Sequence, residues 1–497
     1  MKTRTFSFLL ITILGFLILW SKLFWLQVAK GEENKKLAEE NRIKVINTPA
    51  LRGVIYDTKE NTLARNKPEG REYVYGEVLA HVLGYVGEVS EGEILENDKL
   101  KLGDIVGKIG LEKQYDALIR GKDGGILVET DAEGNVVREI KKIEPETGEN
   151  INLSLDLELQ KQAFLSLKQK KGAVVASNPK TGAILILASS PSFDPNVFSQ
   201  KINEENEIKI ERVLENLDNP MFNRAISGLY PPASTFKIIT AIAGLEEGSI
   251  NSTTEVEDTG VLKVGDFSYG NWYFSQYGKT EGLVDIVKAI KRSNDIFFYK
   301  TGEWLGITKL SEWASFFGVG RITDLDIPGE AVGLMPTPDW KKQKKLESWY
   351  LGDTYITAIG QGNLQLTPLQ VNQMTSVIAA NGKLCQPFLL KNSEIKCLDL
   401  NISQSSLSLV KEGLKQACET GGTGWPFFDF KPQVGCKTGT AEFGDPQDKT
   451  HAWFTVFAPW DDPEIVVTVL LEAAGEGSYE AAPVAKEILK YYFSNKN

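Results

Sequence analysis

The apolar run near the amino terminus is the strongest constraint on what this chain can become. Between Thr5 and Ser21 no residue is charged, and after Lys22 the run continues through Leu23, Phe24, Trp25 and Leu26. A helix over these 22 residues is long enough to cross a bilayer, whose apolar core takes about 20. Trp20 and Trp25 fall where an interfacial aromatic belt is expected, and Lys22 can snorkel to the head groups. A cleaved signal peptide would have a shorter apolar core and a small-x-small site, and neither is evident. The expectation is a retained single-pass anchor. Positive residues flank both ends (Lys2 and Arg4; Lys22, Lys30, Lys35 and Lys36), so charge alone does not orient it. A short tail and a long following chain favour tail inside and bulk outside.

The chain has 497 residues, too many for one ordinary domain. Its 66 acidic and 55 basic residues give a net charge of −11, which argues against a general nucleic-acid binder. Two histidines, His81 and His451, leave little for a Ser-His-Asp mechanism and nothing for a His-rich metal site. No metal and no cofactor are expected. Cys385, Cys397, Cys418 and Cys436 lack the C-x-x-C spacing of a zinc site. Buried free thiols are the favoured reading; one disulfide stays open if the compartment is oxidising.

A polar, turn-rich segment over 144–150 reads as a domain boundary. Before it, short strands (44–47 and 53–56) and a hairpin (125–137, turning at Ala132-Glu133-Gly134) suggest a mostly β region, and His81 reads as structural. Beyond it, apolar strands at 173–176 and 183–187 are followed by helices. Strands then return at 434–443, 452–458 and 465–471, and a closing amphipathic helix runs over 483–493. Strands at both ends with helices between predict an α+β domain whose sheet brings first and last strands together.

Within that domain, Pro231-Pro232-Ala233-Ser234-Thr235-Phe236-Lys237 opens an apolar helix ending before Gly248. Ser234 and Lys237 then lie on one face of its first turn. A serine becomes a nucleophile when a base removes its proton, and a lysine serves as that base once burial lowers its pKa. Alone the pattern is weak. Two further stretches supply partners: Ser293-Asn294-Asp295, a polar turn entering an aromatic helix, and Lys437-Thr438-Gly439-Thr440, in a strand. Alternation puts Lys437 and Gly439 on one face of that strand, and Cys436 and Thr438 on the other.

Ser-x-x-Lys, then Ser-x-Asp, then Lys-Thr-Gly resembles the signature of penicillin-binding proteins and serine β-lactamases. The longer strings resemble class B penicillin-binding proteins. These are 223–230, Ile359-Gly360-Gln361-Gly362-Asn363 with Thr367-Pro368-Leu369-Gln370, Arg52-Gly53-Val54-Ile55-Tyr56-Asp57, 107–118 and His451-Ala452-Trp453-Phe454. Ser-x-Asp is similar to the elongation-type group, penicillin-binding protein 2. The resemblance implies a penicillin-binding/serine β-lactamase-like fold, an antiparallel sheet flanked by helices. It implies a tail and anchor (1–28), a pedestal of the dimerisation type (29–150) and a transpeptidase domain (151–497).

By the same resemblance, Ser234 would attack a stem peptide between its last two D-alanines. Lys237 would be the base, Ser293 and Asp295 the proton relay and polar network, and Lys437 with Thr438 the carboxylate clamp. Gly439 would allow close approach, and the N–H groups of Ser234 and Thr440 would form the oxyanion hole. Implied partners are peptidoglycan stem peptides, β-lactams as inhibitors, a membrane glycosyltransferase of the SEDS type and cell-elongation proteins. The catalytic domain would lie on the periplasmic side of the cytoplasmic membrane.

Two alternatives stand beside this reading. One is a membrane-anchored β-lactamase or β-lactam sensor. Pro232 to Lys237 has the class D form, and Tyr269-Gly270-Asn271 is similar to a class D motif. That tripeptide, however, precedes the second motif, which makes it coincidence, and the Glu-x-x-Leu-Asn of class A is missing. The other is a non-catalytic scaffold, which three intact motifs argue against. One departure is large: between Asn66 and Gly76 there are about ten residues where elongation-type proteins carry a long insertion.

Overall fold

The computed structural model describes residues 2–40, 42–68, 70–131, 133–168, 170–199 and 204–495. Helix α1 (Lys2–Phe24) continues into a π-helical turn, Trp25–Ala29. Over Phe6–Ala29 the mean hydropathy is 2.1 and no residue is buried by protein. A helix satisfies its own backbone, so this span is long and apolar enough to cross a membrane. The Lys22 Nζ sits 4.3 Å from the Trp25 ring centroid.

The chain divides into two compact units. The smaller one, residues 1–53 and 117–149, holds α1, the helix Gly31–Glu40 and a three-stranded antiparallel sheet. Its strands, in sheet order, are β1 (Ile43–Thr48), β2 (Gly124–Thr130) and β3 (Val136–Ile143). The expected hairpin is β2–β3; its turn residue Ala132 lies outside the described residues.

The larger unit comprises residues 54–116 and 150–497. Residues 54–116 of the expected pedestal therefore pack with the chain after Asn150. Ile55–Tyr56 pairs in parallel with Ile151–Asn152. The Asn196 side chain accepts from Tyr73 N–H (2.9 Å) and donates to Tyr73 C=O (3.0 Å). Around the short stretch after Asn66, Thr62–Lys67 pairs antiparallel with Gly70–Tyr73. His81 is structural, as expected: it is buried, donates from Nε2 to Pro220 C=O (2.8 Å), and burial lowers its pKa to about 4.

Five antiparallel strands form the centre of this unit: β4 (Gly172–Ser177), β5 (Ile184–Ser190), β6 (Gly435–Glu442), β7 (Thr450–Ala458) and β8 (Ile465–Leu471). The sheet order is β5-β4-β8-β7-β6. First and last strands meet, from Gly172 opposite Leu471 to Ser177 opposite Val466. These strands read as continuous apolar runs because both sheet faces are covered. In β7, Trp453 and Phe457 enter one core with Phe236, Ile239 and Met374, while Phe454 and Val456 enter another with Leu159, Ile488 and Leu489. The helices of this unit include α2 (Lys237–Glu246), α3 (Ile286–Arg292), α4 (Asp295–Leu305), α5 (Leu351–Ala358), α6 (Pro368–Ala379), α7 (Gln404–Ala417) and α8 (Ala482–Ser494).

The cysteines depart from expectation. All four are paired, Cys385–Cys397 and Cys418–Cys436, with Cα separations of 3.9 and 5.8 Å. A two-stranded ladder sets Cys385 opposite Cys397. Cys418, capping α7, and Cys436 on β6 meet inside the same core. Such pairings come from folding and cannot be deduced from spacing alone.

Candidate active site

Two prolines carry the chain into a short 3₁₀ turn, Ala233–Thr235, and Lys237 is the first residue of α2. Ser234 thus sits in the turn just before the helix, not in its first α-helical turn. Ala233 takes a left-handed conformation (φ 49°) and donates its N–H to Gly360 C=O at 2.8 Å. Gly360 must itself be glycine: its φ is 82°, and a Cβ there would stand 2.0 Å from the Ala233 carbonyl oxygen. Ser234 is half-buried and lines a cleft of about 1090 Å³ that it shares with Ser293, Asp295, Thr438, Gly439 and Thr440.

The second motif caps two helices. Ser293 ends α3 in the left-handed region (φ 53°), and the Asn294 side chain caps α4 by accepting from Phe297 N–H at 2.9 Å. This strained turn aims Ser293 at both lysines. Its hydroxyl oxygen accepts from Lys437 Nζ at 2.8 Å and from Lys237 Nζ at 3.4 Å. With both lone pairs engaged, its own O–H is free to donate elsewhere. Asp295 Oδ1 accepts from Lys237 Nζ at 2.6 Å.

Both lysines are fully buried. Desolvation lowers the Lys237 pKa below its ordinary 10.5, and the charge and hydrogen bond of Asp295 only partly oppose it. Lys437 lies well below 10.5, first through desolvation and then through the positive charge of Lys237. The arrangement is a buried amine one turn from a serine, with a second amine and a hydroxyl alongside.

The third motif lies on β6, the last strand of the sheet. The expected alternation holds: Lys437 points under the cleft to Ser293, while Thr438 Oγ1 donates to Thr423 Oγ1 at 2.9 Å. Thr438 still borders the cleft, which runs along the strand's free edge, and Lys437 lies buried beneath it. The Thr438 C=O accepts from Lys437 Nζ (3.0 Å), and the Thr440 C=O accepts from Gln361 Nε2 (3.2 Å). In an antiparallel ladder a residue directs its N–H and C=O to the same side. The Thr440 N–H therefore faces the cleft as well. A Cβ on Gly439 would sit 3.0 Å from the Trp453 Cβ and 3.2 Å from the Pro232 oxygen, so glycine lets β6 lie against the Ser234 turn.

Every residue singled out in the sequence comes to this cleft or directly beneath it. Several supporting residues were missed. Asn271 is buried, accepts from Asp295 N–H (3.1 Å) and donates to Asp258 (2.8 Å), which also accepts from Asn294 Nδ2 (2.9 Å). Trp272 N–H donates to Asp295 Oδ2 at 2.9 Å. Asn271 and Trp272 thus build the wall that orients Asp295. The signal was a buried-type asparagine beside three aromatics. Among the described residues, no group of three or more His, Cys, Asp or Glu side chains could hold a metal ion.

A family model described as the penicillin binding protein transpeptidase domain matches residues 172–490. The chain belongs to this family. A second model, the penicillin-binding protein dimerisation domain, matches residues 68–153. The chain is 35% identical to the peptidoglycan D,D-transpeptidase MrdA of Haemophilus influenzae, over 86% of this chain and 70% of that protein. It is 34% identical to the MrdA of Acinetobacter baumannii, over 85% of this chain and 66% of that one. Among solved structures, Pseudomonas aeruginosa PBP2 in complex with WCK 5153 superposes with a TM-score of 0.81 at 33% identity, covering 91% of this chain and 97% of that chain. Helicobacter pylori PBP2 in complex with MreC gives 0.83 at 27%, covering 92% and 99%.

Proposed function

We propose that Ser234 is the nucleophile of a peptidoglycan D,D-transpeptidase, and that the buried amine of Lys237 activates it. The chain is a serine-type enzyme of this class and of the elongation-type group, and its relatives are named peptidoglycan D,D-transpeptidase MrdA. The observation that carries the residue assignment is the buried cluster of Lys237, Asp295, Ser293 and Lys437 beside Ser234.

In the proposed sequence, neutral Lys237 takes the Ser234 proton as Oγ bonds to the carbonyl carbon of the penultimate D-alanine. The resulting oxyanion accepts from the N–H groups of Ser234 and Thr440, each worth about 3 kcal/mol in such sites. The C–N bond to the terminal D-alanine then breaks. The Ser293 hydroxyl, held between the two lysines, passes a proton to the departing amine. Lys437 and Thr438 hold the terminal carboxylate. An amine from a second stem peptide attacks the acyl-serine, gives up a proton through the same relay, and leaves a crosslink.

In our reading α1 spans the cell membrane, with the chain after it on the outer, periplasmic side where the polymer lies. We take residues 1–28 as tail and anchor, 29–150 as pedestal and 151–497 as the transpeptidase domain. Partners in this reading are a membrane glycosyltransferase of the SEDS type and cell-elongation proteins. Support comes from the PBP2–MreC complex and from a structure titled for coordination of polymerization and crosslinking by a peptidoglycan synthase complex, with a TM-score of 0.81. Release of D-alanine from a pentapeptide-bearing glycan, measured with the full chain, is expected to stop in Ser234→Ala while the melting temperature holds. Continued release from that variant refutes the assignment.

A further inference from the structure

Three segments distant in the chain close one end of the cleft. The loop 419–424 follows α7 and reaches Thr438, whose hydroxyl meets Thr423 Oγ1 at 2.9 Å. The short helix Trp272–Tyr277 backs the second motif: the Trp272 indole donates from Nε1 to Arg292 C=O at 2.9 Å, next to Ser293. The turn Gly477–Ala481 lies on β6, where a Cβ on Gly477 would stand 2.5 Å from the Gly439 oxygen. Two contacts tie these segments together. Gln276 Nε2 donates to Glu476 Oε1 at 3.0 Å, and the rings of Trp425 and Tyr479 meet edge to face at 5.4 Å. All four of these residues line the cleft.

Two large rings stay open to solvent here: Trp425 is 45% exposed and Tyr479 59%. Exposed apolar surface gathered at one place marks a site of contact. Between the segments, half-buried Glu476 meets the Gln276 amide and no Lys or Arg among the described residues. Arg292, which also lines the cleft, is already engaged: its Nε lies 2.7 Å from Glu281, and a terminal N–H donates to Gly421 C=O at 2.8 Å. A carboxylate without a cation, beside open aromatic faces, is complementary to an ammonium group, which the charge pairs and the rings attract. Its position identifies the ammonium. Lys437 and Thr438 hold the terminal carboxylate of the donor, so at this end the D-alanine departs and the amine that replaces it must arrive.

We propose that Glu476, with Trp425 and Tyr479, forms the acceptor site and takes a primary amine in its ammonium form. This rests on the reading of Ser234 as the nucleophile. At the open mouth of the cleft the ammonium gives one proton to water. The neutral nitrogen bonds to the acyl carbon, the bond to Ser234 Oγ breaks, and a second nitrogen proton passes through Ser293 to Oγ.

The test uses the full chain with a benzoyl-D-alanyl thioester as donor. The thiol leaves on acylation, and the acyl-serine then divides between water and an added amine. D-Alaninamide carries an α-amino group, mostly ammonium at pH 7; hydroxylamine is a neutral amine at that pH. Glu476→Gln keeps the shape and an acceptor for Gln276 but removes the charge. It is expected to lower the ratio of aminolysis to hydrolysis about tenfold with D-alaninamide and less than about twofold with hydroxylamine. Tyr479→Leu is expected to lower it about threefold, with the same selectivity. A merely structural role lowers the ratio equally for both amines. Equal losses with the two amines, an unmoved ratio with D-alaninamide, or a parent protein that makes no product with D-alaninamide each overturn the proposal. Mass mapping of the acyl adduct keeps the two readings apart. An adduct away from Ser234 in the parent protein defeats the nucleophile assignment. An adduct on Ser234 together with any of those outcomes defeats only the acceptor site.

Discussion

The two edges of the central sheet carry similar backbone and opposite tasks. Edge strand β5 is buried, and its polar groups are answered from within: Gln160 covers Leu187, and Phe388 C=O accepts from Ile184 N–H at 2.9 Å. Edge strand β6 is answered only in part. Lys437 and Gln361 take the carbonyls of Thr438 and Thr440, and the Thr440 N–H faces an open cleft beside Ser234. An exposed sheet edge usually has to be blocked against pairing with another chain. Here the unpaired side of one edge is kept for a ligand, walled by Gly439, Ser293 and the Ser234 turn. The lesson is that a structural edge and a reactive edge differ by a few missing hydrogen bonds.

The contrast can be broken at its strongest point with Thr440→Pro. Proline removes an N–H that faces the cleft and so takes no rung from the ladder. The expected outcome is a loss of about 10²–10³ in acylation rate with a nearly unchanged melting temperature. An equal loss of stability would mean that this N–H serves the sheet.

Asp295→Asn tests the charge beneath the reactive edge. Removing the carboxylate leaves Lys237 buried without its ion-pair partner, at a cost of about 3 kcal/mol where the amine is charged. Asp295 raises the Lys237 pKa, so its loss lowers that pKa further below 10.5. Between the folded value and 10.5 the unfolded chain binds more protons, and stability rises with pH across that window. The variant's deficit is therefore expected to be greatest at acid pH and to shrink as pH rises, read by urea unfolding. In the variant, the acid limb of the acylation–pH profile is expected to move to lower pH; movement to higher pH contradicts the role of Lys237 as base.

The smallest effect belongs to the closed edge. Gln160→Leu strips Leu187 of two buried hydrogen bonds and is expected to cost about 2 kcal/mol of stability. The acylation rate per folded molecule should not change. A slower reaction with unaltered stability would erase the distinction between the edges.

Much of this was visible in the chain itself. Ser234, Lys237, Ser293, Asp295 and Lys437 stand in short patterns whose chemistry is specific, and the strands are apolar runs because the sheet is buried on both faces. What stayed hidden depends on partners distant in sequence. Gln160 and Gln361 are ordinary polar residues until each meets a particular backbone group. Asn271 gains meaning only against Asp258 and Asp295. The disulfides escaped because spacing does not state connectivity: Cys385 and Cys397 are joined by a ladder, and Cys418 and Cys436 by a helix end reaching a strand. The unequal division of the region before residue 150 escaped too, since the pairing of Ile55–Tyr56 with Ile151–Asn152 is a tertiary event.

The central claim is that the open edge of β6 serves one nucleophile. The most direct measurement is mass mapping of the full chain after a brief exposure to benzylpenicillin. The account predicts a single penicilloyl adduct on the peptide containing Ser234, absent from Ser234→Ala. An adduct on Ser293 or elsewhere, or labelling retained in that variant, would contradict it.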